Sequence, residues 1–214
     1  IDHPAMTDEE MTAYLSHCLM EPTSPRPSIE TLLHGFIPFD AVIHTHAAAI
    51  LFLTNTSKGE ALVKQVLGEN VIWIPYVRPG FAMSKQVGQA VQARPEAVCV
   101  VLEKHGLITW GHTPKDAYDR TIQLMTKVEE YVQAQARVKP EPFGGEKVKT
   151  LPPADREIAW HILLPILRGG VGKNRPMVLK VDSEPDVMAF INSELAPALC
   201  VGGPATPDHL LTTK

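Results

Sequence analysis

His44 and His46, one residue apart in the stretch 41–46, are the side chains of this chain best spaced to do chemistry. On a β-strand alternate side chains share a face, so the two imidazoles project together from Cα atoms roughly 6.6 Å apart, whereas on a helix they diverge. Both rings can then reach one ion at about 2.0–2.1 Å, the zinc–nitrogen distance. A third ligand must come from elsewhere, and His105 is the candidate. It follows the apolar run 97–102, which reads as a buried strand, and precedes Gly106, which permits a sharp turn. Three imidazoles leave one position of a tetrahedral site open, which marks catalytic rather than structural zinc. The competing reading is an ordinary surface or core role, since the chain has nine histidines; on spacing alone both readings stand.

The elements that must position these residues show in periodicity and punctuation. Thr7 and Glu10 have the capping-box form, with Met11, Leu15 and Leu19 at helical spacing behind them. Pro22, Pro25 and Pro27 then forbid regular structure. Ser28 is read as the N-cap of a helix over 29–35, on which Glu30 and His34 share a face. Glu30 has two readings here: a carboxylate set beside the histidines, or a first-turn acid complementing the helix dipole for about 0.3–1 kcal/mol, and pattern alone favours the second. Helices over 47–53 and 57–67 follow, the latter closed by Gly68, then a strand at 71–74. In the loop 75–81 prolines hold Tyr76 and Arg78 extended, either as contacts for an anionic substrate or as an ordinary packed ring and a solvated cation.

A helix over 83–93, the strand 97–102, a hairpin partner at 107–110 and a long helix from Thr113-Pro114 to about 137 complete a first domain, 1–138. Residues 139–153, rich in Pro, Gly and Lys, read as a linker. The extension 154–214 should hold a helix over 155–167 bent or broken near Pro165, a strand at 177–181 and a helix over 185–195.

Composition narrows the partners. With 44% apolar and 21% charged residues among 214, the chain can bury a full core. A net charge of -4 offers no dense basic patch, so nucleic acid is not expected and a small molecule is. Cys18, Cys99 and Cys200 form no CxxC pair, which points to a reducing compartment without a disulfide framework. No apolar run approaches the ~20 residues of a membrane span, so no membrane association is expected and the cytoplasm is the expected location.

With these residues in view, the region 27–135 resembles the class II aldolase/adducin family, which includes fuculose phosphate and rhamnulose phosphate aldolases. The likeness rests on Ser28 followed closely by Glu30, on His44 and His46, and on Lys104-His105-Gly106-Leu107-Ile108-Thr109-Trp110-Gly111. More narrowly, 26–34, 75–81 and 203–211 resemble bifunctional proteins of the rhamnulose-1-phosphate aldolase/short-chain dehydrogenase type. The dehydrogenase signature is not found: none of Tyr14, Tyr76, Tyr118 or Tyr131 has Lys four residues on. The chain is therefore expected to stop short of a dehydrogenase domain and, starting at Ile1, to lack an N-terminal part of the family domain.

The resemblance implies a three-layer α/β fold with a central mixed or antiparallel sheet flanked by helices. It implies Zn2+ or another divalent metal on His44, His46 and His105, with Glu30 as general acid/base and Ser28 holding a substrate phosphate. The reaction implied is cleavage of a ketose 1-phosphate to dihydroxyacetone phosphate and an aldehyde, the metal stabilising the enediolate as a Lewis acid, in a homotetramer. A sugar phosphate epimerase and a metal-free, adducin-like interaction module are the alternatives.

Overall fold

The computed structural model describes residues 2–138, 141 and 143–212. Four short strands form one mixed sheet: β1 (Ala41–Thr45), β2 (Val71–Ile74), β3 (Cys99–Leu102) and β4 (Gly106–Gly111), in the order β1-β4-β3-β2. β3 and β4 form a hairpin, β1 lies antiparallel to β4 with His44 opposite Ile108, and β2 runs parallel to β3. The strands are apolar at nearly every position because both faces of the sheet are covered.

Alternation sorts those side chains into two cores. Ile72, Ile74, Val100, Leu102, Ile108 and Trp110 face one side and pack with Leu33 of α2 (Thr31–Gly35) and with Met83, Val87 and Val91 of α5 (Phe81–Ala93). Val71, Cys99, Val101 and Leu107 face the other. There they meet α3 (Ala48–Thr54), α4 (Gly59–Leu67) and α6 (Pro114–Val138) through Ile50, Leu53, Val63, Leu67, Leu124 and Val128. The result is helices, sheet, helices, the three-layer arrangement expected from the sequence. α6 is tied to β4 by a buried pair of hydroxyls, Thr109 Oγ1 and Thr121 Oγ1, 2.6 Å apart. α1 (Asp8–His17) starts at the expected capping box, in which Glu10 N–H donates to Thr7 Oγ1 and Thr7 N–H to Glu10 Oε2.

The contacts divide the chain into two units, one of residues 1–135 with 204–214 and one of residues 136–203. The second holds α7 (Pro153–Val171), α8 (Pro185–Ile191) and α9 (Ala196–Cys200); α10 (Pro207–Thr212) belongs to the first. Within the second unit the amides of Lys147 and Val148 both donate to Asn192 O, at 2.8 and 3.0 Å, and the rings of Phe143 and Phe190 meet edge to face.

Three local expectations differ from what is found. Residues 177–181 pair with no strand among the described residues, α2 begins at Thr31 rather than at residue 29, and α8 ends at Ile191 rather than at residue 195, whereas α7 continues as one helix through Pro165. The strand had composition in its favour, but a strand exists only by pairing with another. No helix among the described residues is long and apolar enough to cross a membrane.

Candidate metal centre

β1 carries Val42 and His44 on its α2-facing side, opposite Trp110 and Ile108 of β4, and His46 follows one residue beyond the strand end. His105 sits in the turn between β3 and β4. Its amide donates to Leu102 O at 3.2 Å, and Lys104 takes the left-handed position at φ +57°, its own amide donating to Thr54 Oγ1 at 3.2 Å. Gly106 then lets β4 pass against β1. A Cβ at this position would stand 2.3 Å from the Thr45 carbonyl oxygen and 3.1 Å from His44 Cε1. Because the first clash is with backbone, Gly106→Ala should cost about 2–3 kcal/mol through forced strand separation and should displace both His44 and His105. A shift of the denaturation midpoint reads the first effect; an unchanged midpoint would refute it.

The three rings converge through one kind of atom. Nε2 of His44 lies 3.2 Å from Nε2 of His46 and 3.3 Å from Nε2 of His105, and the last two are 3.0 Å apart. Three corners of a tetrahedral zinc site with bonds of about 2.0–2.1 Å stand about 3.3–3.4 Å apart, so the triangle has the size such an ion requires. The protons make the same point. His44 Nδ1 lies 3.1 Å from Leu107 O, which can only accept, so this nitrogen carries the hydrogen and Nε2 presents a lone pair. Each of the three contacts needs one donor and one acceptor, and no assignment of neutral tautomers gives that to all three sides of a triangle. A cation shared by the three Nε2 lone pairs would satisfy every side at once.

Glu30 completes the cluster, its Oε1 2.9 Å from His105 Nε2 and 3.6 Å from His44 Nε2. The ligand atoms of Glu30, His44, His46 and His105 all lie within 4.8 Å of one another. Interaction with His105 and then with His44 holds the Glu30 carboxyl far below the usual carboxylate range, so it is ionised. Burial, and next the neighbouring His44, push the His46 pKa down, which leaves that ring neutral and its lone pair available.

Ser28 explains how Glu30 is placed and why α2 starts late. Ser28 Oγ accepts from the Glu30 amide at 3.1 Å, and its carbonyl accepts from both the amide and the hydroxyl of Thr31. Those bonds make a turn ahead of the helix, so Glu30 occupies the N-cap position instead of the first helical turn. His34 is exposed and stands outside the cluster, and His112 lies beside Phe39.

A cavity of about 660 Å³ opens beside the histidines. Of the expected contacts, Ser28 and Tyr76 line it together with Glu30, His46 and His105. The Tyr76 amide donates to Glu103 Oε2 at 3.0 Å, which ties its loop to the turn that carries His105. Arg78 is not brought there: it is 85% exposed and pairs with Asp8 Oδ2 at 3.5 Å. Sequence reading gave no cavity role to Lys104, Asn55 or the segment from Pro204 to Leu211, although Lys104 and 203–211 entered the resemblance. Only the left-handed Lys104 had a local signal available, its place before His105-Gly106; the other two meet across 150 positions of chain, where Asn55 Nδ2 donates to Ala205 O at 2.7 Å.

Comparison with known proteins identifies the family. The model of the class II aldolase and adducin N-terminal domain matches residues 5–132, and that of the aldolase class II second domain matches residues 159–214. The chain belongs to the class II aldolase and adducin family. It is 42% identical over 214 residues to a protein of Bacillus subtilis (strain 168) described as the uncharacterized oxidoreductase YuxG. This alignment covers all of the present chain and 31% of that protein, so the chain spans about a third of the relative's length. Among solved structures, the N-terminal class II aldolase domain of a conserved protein from Thermoplasma acidophilum is similar with a TM-score of 0.57 at 40% identity, over 61% of this chain and 60% of that one. Family membership and the Glu30–histidine cluster together fit an enzyme that uses a divalent metal.

Proposed function

We propose that the chain is a zinc-dependent aldol lyase that cleaves a ketose 1-phosphate of the rhamnulose or fuculose type to dihydroxyacetone phosphate and an aldehyde. The observation that carries this reading is the triangle of Nε2 atoms, 3.0–3.3 Å on a side, with an ionised carboxylate 2.9 Å from one corner and a cavity alongside. His44, His46 and His105 would hold the cation. When bound, it supplies Lewis-acid polarisation of the substrate's carbonyl and hydroxyl oxygens.

The protein's own residues do the rest. In cleavage the bond between C3 and C4 breaks, its electron pair stays with C3, and the C4 hydroxyl becomes the aldehyde carbonyl. Net, the hydroxyl proton ends on C3, and Glu30 is the group placed to deliver it. Held ionised by its histidine neighbours, Glu30 is a base at rest and in the condensation direction removes that same proton. Ser28 and Tyr76 offer hydroxyls on the cavity wall for the phosphate and sugar oxygens. Arg78 joins them only if its exposed side chain leaves Asp8. The oxidoreductase activity in the name of the Bacillus relative is assigned to the portion of that protein outside the match.

Purified protein should carry close to one zinc per chain and release dihydroxyacetone phosphate from rhamnulose 1-phosphate. Metal-replete protein that turns over neither rhamnulose nor fuculose phosphate would defeat the lyase reading. Interconversion of sugar phosphate isomers without triose release would replace it with epimerisation.

A further inference from the structure

We infer that Asp208, on α10, positions His46 as a metal ligand, so that the segment 204–211 is a structural part of the centre; this rests on the metal reading proposed above. Asp208 Oδ2 lies 3.5 Å from His46 Nδ1, the ring nitrogen that faces away from the other two histidines. A carboxylate on that side selects the tautomer with hydrogen on Nδ1 and leaves the Nε2 lone pair aimed into the triangle, while fixing the ring's orientation. Asp208 is not one of the clustered ligand atoms, so it acts through the imidazole.

The three rings differ in how they are held. His44 belongs to β1 and its Nδ1 meets a β4 carbonyl, and His105 is 4% exposed within the hairpin turn. His46 stands beyond the strand end with only intermediate burial, and its outward nitrogen meets a group that arrives from the far end of the chain. That group is itself tethered. Asn55 Nδ2 donates to Ala205 O at 2.7 Å, and Thr206 accepts from the Leu210 amide through its carbonyl and from the His209 amide through its hydroxyl, at 3.1 and 3.0 Å. Pro204, Pro207, Leu210 and Leu211 from the same segment form an apolar wall of the cavity. The histidines lie within the region matched by the first family model, residues 5–132, whereas Asp208 lies within that matched by the second, residues 159–214. The centre therefore draws on both matched regions.

The test uses the full chain and titrates zinc against a chromophoric chelator. Asp208→Ala should weaken zinc about 10–100-fold, Asp208→Asn about tenfold, and Asp208→Glu should restore most of the affinity. The cobalt(II)-loaded variants should show a shifted visible spectrum, while melting of the metal-free chain stays unchanged. Should the alanine variant melt early, the isosteric asparagine variant decides. In a His46→Ala background, Asp208→Ala should cost nothing further; a full additional loss would mean that Asp208 acts independently and would overturn the assignment. Equal affinity of wild type and Asp208→Ala would overturn it too, whereas a wild-type chain that binds no metal removes the centre itself.

Discussion

His105→Ala is expected to weaken zinc binding about 10²–10³-fold and to take turnover with it. Four-ligand zinc sites hold their ion with roughly 10–16 kcal/mol, so one imidazole is worth about 3–4 kcal/mol. His105 should show the full effect because it has the shortest contacts: its Nε2 lies 3.0 Å from His46 Nε2 and 2.9 Å from Glu30 Oε1. The matched control is His34→Ala, an exposed histidine outside the cluster, which should leave affinity unchanged. A chelator titration with both variants decides the matter; equal affinities would dismiss the centre. The same logic fixes the effect of metal removal on stability. Three Nε2 atoms that cannot all find complementary partners destabilise the empty site, so zinc should raise the melting temperature of the wild type and do so far less for His105→Ala.

Glu30→Gln separates chemistry from binding. The amide keeps the shape of the carboxylate, so zinc affinity should stay within about tenfold of wild type, while kcat for cleavage should fall about 10²–10⁴-fold, the usual worth of a positioned acid/base. Equal loss of affinity and of kcat would make Glu30 a ligand instead of a proton carrier. The carboxyl also has a signature in the metal-free chain. Its folded pKa is depressed below the ordinary carboxylate value, so its contribution to stability is complete above that value and disappears as pH falls through the folded pKa. Wild type should accordingly lose stability on acidification more steeply than Glu30→Gln, measured by chemical denaturation between about pH 6 and 3.

Local pattern carried a good deal of this protein. Alternation put His44 and His46 on one face, and the structure has them there because β1 pairs with β4 in a register that sets His44 opposite Ile108. The capping box at Thr7, the glycine closing α4 at φ +96° and the Thr113-Pro114 start of α6 are all signals spanning a few residues, and all are found in place. The errors share a different cause. The helix around Glu30 starts late because Ser28 spends its oxygens on the next amides, a choice between two local hydrogen-bonding patterns that residue types leave undecided. Residues 177–181 have the composition of a strand and no partner among the described residues.

What the sequence by itself determined are the features set by nearest neighbours: the apolar strands, most helix boundaries, the pair of histidines on one face and the glycine beside the third. Tertiary structure alone decided which groups meet across the chain. Glu30 reaches His105 over seventy-five positions, and Asp208 reaches His46 over more than a hundred and sixty. Arg78 turns to Asp8 and leaves the cavity to Lys104 and to α10. The physical reason is that a side chain's reach is a few ångströms, whereas which distant segment comes within it depends on how both faces of the sheet are packed, and a one-dimensional pattern encodes the packing only as a sum over the whole chain.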